Sequence, residues 1–210
     1  MNVIFYHNPM SRGQIVRWML EETGTPYETV LLDYTGDMER ADYLAINPMG
    51  KVPAIVHGDA VVTECAAICA YLADAFPAAD LAPPVTQRAD YYRWLFFAAG
   101  PIEAAVTNKA LGVEIPPERR RMAGYGDFDR MIAALEKMVP RTGWLCGEQF
   151  TAADVYAGSH IDWGLLFKTL PARPAFEDYV ARLRDRPAYQ RQKALDGALM
   201  EKARNQTQPE

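Results

Sequence analysis

A chain of 210 residues is long enough for one or two domains and a sizeable buried core. Half of the residues are hydrophobic and 23% are charged, an ordinary globular balance; a formal charge of −5 argues against nucleic acid or an anionic membrane as a partner. No run approaches the roughly 18 uninterrupted apolar residues of a membrane span. The opening stretch Met1-Asn2-Val3-Ile4-Phe5-Tyr6 lacks a basic segment and passes straight into a strand pattern, so no signal peptide is expected. Cys65, Cys69 and Cys146 are odd in number and form no Cys-x-x-Cys pair, which suits a reduced, cytoplasmic compartment. The histidines and cysteines show no metal-ligand spacing, and no metal is expected.

In chain order, Val3-Ile4-Phe5-Tyr6 reads as a buried strand ended by the turn His7-Asn8-Pro9, where His7 is expected at a turn or surface. Ile15, Val16, Met19 and Leu20 recur at helical spacing, and Gly24-Thr25-Pro26 stops that helix. Residues 27–32 alternate as a second strand, and a polar loop with a short helix fills 33–46. Val52-Pro53 then opens a strand, Gly58-Asp59 reverses the chain into another, and a helix runs over 64–76 until Pro77. The order βαβαββα predicts a thioredoxin-like domain over residues 1–77. The proline-rich stretch 78–87 reads as a linker, and 88–210 as an all-helical domain, because no strand-length alternation follows.

Within that second half, a long helix over 87–110 is expected to kink at Gly100-Pro101. Another is expected to start at Pro116-Pro117-Glu118 and to bury Met122, Met131, Ile132, Leu135 and Val139. Thr151-x-x-Asp154 fits a capping box before a buried central helix over 155–170. Two shorter helices follow over 176–184 and 188–199, and the polar stretch 205–210 is expected to fray. The aromatics Tyr92, Trp94, Phe97, Tyr125, Trp163 and Phe167 are expected mostly in the core.

Three places carry chemistry. Ser11 follows the first strand and precedes the first helix; its hydroxyl fits either a plain helix cap or a donor to an anion in the field of the helix N-terminus. Asn8 offers an alternative N–H donor there, and Arg12 adds positive charge. The stretch Asn47-Pro48-Met49-Gly50-Lys51-Val52-Pro53 presents a strand start with open backbone. Glu64 and Cys65 fall at a helix start, whose backbone N–H groups attract carboxylates.

Asn-Pro-x-Gly-Lys-Val-Pro, followed after a hairpin by Thr-Glu-Cys-Ala-Ala-Ile-Cys-Ala-Tyr-Leu, resembles the glutathione-binding half of the glutathione S-transferase superfamily, and the resemblance extends over nearly the whole chain. It implies a cis Val52-Pro53 bond, main-chain pairing of Val52 with the cysteinyl part of glutathione, and a γ-glutamyl site at Glu64. Cys65 stands where the family has serine. Its thiol fits either a passive replacement, with the backbone N–H still able to bind a carboxylate, or a reactive group at a helix N-terminus. The resemblance also implies that Lys51 pairs the glycyl carboxylate. The resemblance further implies glutathione as co-substrate, a thiolate stabilised by Ser11 with Asn8 or Arg12 assisting, a small hydrophobic electrophile held on the helical side between the domains, and a homodimer. A non-catalytic glutathione-binding relative and a glutathione-dependent disulfide reductase remain alternative readings.

Overall fold

Strand β1 (Val3–His7) is an inner strand of the sheet around which the first half is built. It pairs in parallel with β2 (Tyr27–Leu31) and antiparallel with β3 (Ala54–His57), which pairs antiparallel with β4 (Ala60–Thr63). The sheet order β2-β1-β3-β4 is that of a thioredoxin-like domain. The computed structural model describes residues 2–207. Val3, Phe5 and His7 of β1 alternate onto one face, where the helices α1 (Gly13–Thr23) and α3 (Cys65–Ala75) cover them. Ile15, Val16, Trp18, Met19 and Leu20 supply the buried stripe of α1; Ile68, Cys69 and Leu72 supply that of α3. Each such side chain contributes about 1.5–3 kcal/mol on burial. Gly24 ends α1 in the left-handed region (φ +66°) with its N–H on the Leu20 carbonyl, a conformation that glycine adopts at little cost. On the other face, Met38 and Tyr43, the latter in the short helix α2 (Ala41–Leu44), pack with Ala54, Tyr6, Leu32, Ile46 and Val52.

The contacts divide the chain into residues 1–80 with 185–210, and residues 81–184. The expected limits of 1–77, 78–87 and 88–210 therefore differ from the observed ones at both ends. Leu81 is already buried in the second unit, where its carbonyl accepts the Ala152 N–H at 2.8 Å. The last helix, α9 (Pro187–Thr207), packs on α1 of the first unit. Trp18 meets Tyr189 edge-on at 5.1 Å, and Arg186 and Arg191 grip Glu22 and Glu21 at 2.7 and 2.9 Å. Because α9 continues to Thr207, the expected end of that helix at residue 199 and the frayed stretch from 205 are corrected; residues 208–210 lie outside the described residues.

The second unit is all helical: α4 (Ala89–Phe97), α5 (Glu103–Ala110), α6 (Phe128–Met138), α7 (Ala152–Leu166) and α8 (Pro174–Arg184). Between α4 and α5, residues Ala98–Ile102 form a π-helical turn around Pro101, which lacks an N–H to continue the ladder. The helix expected from Pro116 is not formed there. A single 3₁₀ turn spans Pro117–Arg119, Gly124 and Gly126 (φ +73°) interrupt the chain, and α6 begins only where the Asp127 carboxylate caps the Arg130 N–H at 2.8 Å. Met122 is accordingly 82% exposed. Tyr92 and Phe167, expected mostly in the core, are exposed, whereas Trp94 is buried. Helix α7 is buried on nearly all sides, and Gly158 and Gly164 let Leu183 and Leu170 approach its backbone. Thr151 and Asp154 form the expected capping box; Asp154 accepts from the N–H groups of Thr151 (2.9 Å) and Leu145 (2.8 Å) and from the hydroxyls of Tyr179 (2.8 Å) and Thr151 (3.0 Å). Burial pushes its carboxyl up to about 6 against these four donors.

Candidate functional site

The strand register gathers the three chemistry-bearing segments at one end of the sheet. Tyr6 of β1 lies opposite Ala54 of β3, and Ala54 lies opposite Thr63 of β4. The turn after β1 (residues 8–12), the Lys51-Val52-Pro53 entry to β3 and the Glu64-Cys65 exit from β4 are therefore neighbours. The N-termini of α1 and α3 open at the same end. One contact ties two of these segments directly: the Cys65 thiol points at the Arg12 carbonyl, 3.7 Å away.

The turn is held by its own side chains. Asn8 donates through Nδ2 to the Leu32 carbonyl at 2.8 Å and accepts the Met10 N–H on Oδ1 at 2.9 Å. The Ser11 hydroxyl donates to the Asn8 carbonyl at 2.7 Å and accepts the Gly13 N–H at 2.9 Å, satisfying one of the open donors of the α1 N-terminus. Ser11 and Asn8 are half-buried and Arg12 is exposed. Tyr6 points to the opposite face of the sheet, where it packs on Tyr43 at 5.4 Å between ring centroids.

The entry to β3 is equally well anchored. The Lys51 carbonyl accepts from the Tyr43 hydroxyl and, at 2.7 Å, from Asn47 Nδ2, while Asn47 Oδ1 accepts the Met49 N–H at 3.1 Å. Val52-Pro53 is cis. Among the described residues, neither the N–H nor the C=O of Val52 has a hydrogen-bond partner, which leaves one residue of open main chain beside the turn. The Lys51 side chain is exposed and Pro53 is buried.

Glu64 is exposed and adopts φ +64°, ψ +116°, a left-handed backbone that a residue with a Cβ enters at a cost of about 1–3 kcal/mol. That conformation turns the chain from β4 into α3. Cys65 is the first residue of α3 and is buried, as is Cys69 one turn on.

His7, expected at a turn or surface, is fully buried. Its Nε2 donates to the Asp196 carboxylate of α9 at 2.7 Å, and Arg17 Nε donates to the same oxygen at 2.8 Å. The alternation Val3-x-Phe5-x-His7 carried the signal for its burial; nothing local carried the signal for Asp196. Burial lowers the His7 pKa below its ordinary value, although the Asp196 hydrogen bond and charge oppose the change. For Asp196, burial acts upward, but the hydrogen bonds from His7 and Gln192 and the Arg17 guanidinium outweigh it and hold the carboxyl below its usual range.

The helical unit carries a cavity of about 700 Å³ lined by residues that include Ala105, Val113, Ile115, Tyr125 and Phe128, with Lys109, Arg120, Asp127 and Asp129 at its wall. Its lining is of mixed charge.

Family models match both halves of the chain: the glutathione S-transferase N-terminal domain over residues 1–74 and the glutathione S-transferase C-terminal domain over 102–182. The chain is 30% identical over 182 residues to glutathione S-transferase GstB of Escherichia coli strain K12, covering 80% of this chain and 86% of that protein. It is 28% identical over 197 residues to the disulfide-bond oxidoreductase YfcG of the same strain, covering 87% and 90%. Among solved structures, it is similar to a glutathione transferase family member from Pseudomonas fluorescens Pf-5 with two glutathione bound. That likeness has a TM-score of 0.71 and 29% identity, and covers 90% of this chain and 91% of the other. With a thioredoxin-like sheet, an all-helical second unit and both family models in place, the chain belongs to the glutathione S-transferase superfamily.

Proposed function

We propose that the protein is a glutathione transferase that binds glutathione at the joined sheet end and delivers its thiolate to a small apolar electrophile. The observation that carries this reading is the open Val52 main chain, set between the Ser11 turn and the Glu64 exit. The cysteinyl part of glutathione pairs with Val52. Its γ-glutamyl end lies at Glu64 and the Cys65 N–H, and its glycyl carboxylate at Lys51. The sulfur then sits at the turn, near the N-terminus of α1, where backbone N–H groups favour an anion.

On thiolate formation the thiol proton leaves to solvent, and one hydroxyl reorients to stabilise the anion. The Ser11 O–H turns from the Asn8 carbonyl to the sulfur, while the Gly13 N–H keeps the hydroxyl oxygen in place. A free thiol has pKa about 8.5, and the thiolate is the nucleophile. Each unit of lowering favours the thiolate by about 1.4 kcal/mol. Ser11→Ala is expected to lower the conjugation rate about 10- to 100-fold, equivalent to one or two such units, with glutathione affinity nearly kept. Steady-state kinetics on a generic aromatic electrophile, paired with calorimetry, checks this; an unchanged rate removes Ser11 from the role.

The strain at Glu64 gives an independent test. Glu64→Gly relieves the left-handed backbone and is expected to leave stability equal or up to about 1 kcal/mol higher. It also removes the carboxylate that holds the glutamyl ammonium, and is expected to weaken glutathione binding at least tenfold. Thermal melts and calorimetry on the same samples read the two effects. Undiminished binding contradicts the placement of the glutamyl end.

A second reading is glutathione-dependent disulfide reduction, in which one glutathione thiolate attacks a disulfide, releases a thiolate, and a second glutathione resolves the mixed disulfide. The specific observation favouring it is that the Ser11 proton is already engaged by Asn8, so in this reading a thiolate at the turn would be held by donors other than the hydroxyl; the similarity to YfcG points the same way. Reduction of a small mixed disulfide without turnover of carbon electrophiles selects it. Binding of glutathione without either reaction selects a non-catalytic member of the superfamily.

A further inference from the structure

The first unit holds a buried polar cluster that thiol binding does not use. Asp196 of α9 is its centre: Oδ1 accepts from His7 Nε2 at 2.7 Å and from Arg17 Nε at 2.8 Å, and Oδ2 accepts from Gln192 Nε2 at 2.7 Å. All four residues are buried. Clusters of this kind stabilise little compared with well-packed apolar replacements, but breaking one by removing a partner is costly.

The geometry fixed here is that of the Ser11 turn. His7 is the last residue of β1 and precedes Asn8. Its imidazole lies against Gly13, so closely that a Cβ there would fall 2.1 Å from His7 Nδ1; the same Cβ would fall 3.0 Å from Ser11 Oγ. The ring and the hydroxyl thus flank one backbone position. An ionised carboxylate only accepts hydrogen bonds, so Nε2 carries the imidazole proton, and Nδ1, without a partner among the described residues, faces the Gly13 backbone. Arg17 lies one turn further along α1, its guanidinium over the rings of Phe5 and Tyr27 at 5.5 and 5.8 Å, with Nη1 donating to the Tyr27 hydroxyl at 3.2 Å. One carboxylate therefore holds the strand end before the turn and the helix after it. It does so from 189 residues downstream of His7.

The geometry points to Asp196 as a positioning residue: from the C-terminal helix it fixes His7 and Arg17, and through them the placement of the Ser11 hydroxyl toward the glutathione sulfur. This rests on the reading of the turn given above. Asp196 touches no reacting atom; it acts through His7 and Arg17. Among the other polar ties of α1 to the C-terminal segment, those from Lys193 and Gln192 to Gln14 Oε1 (3.3 and 3.5 Å) lie at the turn end of α1, whereas Glu22–Arg186 and Glu21–Arg191 lie toward its far end and serve as internal controls.

The test compares Asp196→Asn with Arg186→Gln in the full-length protein. Asparagine keeps the shape of the side chain but removes its charge; the control loosens the same helix pair away from the turn. Two readouts are taken: amide hydrogen exchange of residues 8–15 relative to β3, without glutathione, and the ultraviolet titration of the bound glutathione thiol. Asp196→Asn is expected to speed exchange in the turn about tenfold relative to β3 and to raise the thiol pKa by about one unit, a tenfold loss of thiolate at neutral pH. Arg186→Gln is expected to change neither, whatever it does to the melting temperature. Should Asp196→Asn not fold, Gln192→Leu, which removes the donor to Oδ2 together with a 3.5 Å contact to Gln14 Oε1, is expected to move both readouts in the same direction by less. If Asp196→Asn alters turn exchange and thiol titration no more than Arg186→Gln does, the positioning role is overturned. If the wild-type protein holds no thiolate, the functional reading falls, and the exchange ratio still decides whether Asp196 sets the turn.

Discussion

Asp154→Ala is expected to cost the protein about 4 kcal/mol, because it strips the acceptor from four buried donors at once. The Leu145 and Thr151 N–H groups and the Tyr179 hydroxyl all converge on a carboxylate that is itself fully buried, and the Thr151 hydroxyl joins them. Removing the acceptor leaves these donors without water to replace it, and also removes the cap of α7, the helix around which the second unit packs. Asp154→Asn keeps one carbonyl oxygen and is expected to cost about half as much. Denaturant unfolding followed by tryptophan fluorescence measures both.

The same residue sets a pH dependence with a definite sign. Its folded pKa, about 6, lies above the ordinary carboxylate value of 3.8. The stability it contributes is therefore fully present below the ordinary value and is lost as pH rises through about 6. The stability difference between wild type and Asp154→Asn is expected to shift by about 1–3 kcal/mol between pH 4 and pH 7, in the direction that disfavours the wild type at the higher pH. A difference that is flat over this range contradicts the burial argument.

Gly13→Ala is expected to destabilise the first unit by about 3 kcal/mol and to impair glutathione turnover. The new Cβ would lie 2.1 Å from His7 Nδ1 and 2.9 Å from its Cε1. The ring cannot retreat without breaking its 2.7 Å bond to Asp196, so the first turn of α1 must move, carrying Ser11 with it. The gain in helix propensity, at most about 1 kcal/mol, offsets only part of this. Gly24→Ala is the useful contrast: it meets no atom within 4 Å, and its cost is only that of a left-handed backbone, about 1 kcal/mol. Thermal melts of the two variants, with turnover measured alongside, separate steric crowding at the turn from ordinary backbone strain.

Much of the fold is legible in the chain. The βαβαββα order, the π-bulged helix at Pro101 and the Thr151–Asp154 cap all follow from local rules about breakers, period and capping. So does the gathering of Ser11, Val52 and Glu64, once the hairpin at Gly58 is placed beside β1. Two of the failures share a physical origin: they depend on partners far away in sequence. His7 reads as a turn residue because Asn8-Pro9 follows it, whereas the strand alternation sends it inward to meet Asp196. The last helix reads as part of the helical domain because nothing near Arg186 or Arg191 announces Glu22 and Glu21. Residues 116–126 read as a helix from two prolines and an apolar methionine, but glycines at 124 and 126 outweigh so weak a pattern. Tyr92 and Phe167 sit at helical spacing like the buried aromatics around them, and spacing alone does not say which side of a helix is covered.

The proposed function turns on where glutathione lies, and a crystal structure of the protein soaked with reduced glutathione at millimolar concentration tests that most directly. The expected result is a cysteinyl unit paired with the Val52 main chain, a glutamyl end at Glu64, and the sulfur about 3 Å from the Ser11 hydroxyl oxygen. A tripeptide bound elsewhere, or a strand edge at Val52 left empty under those conditions, contradicts it.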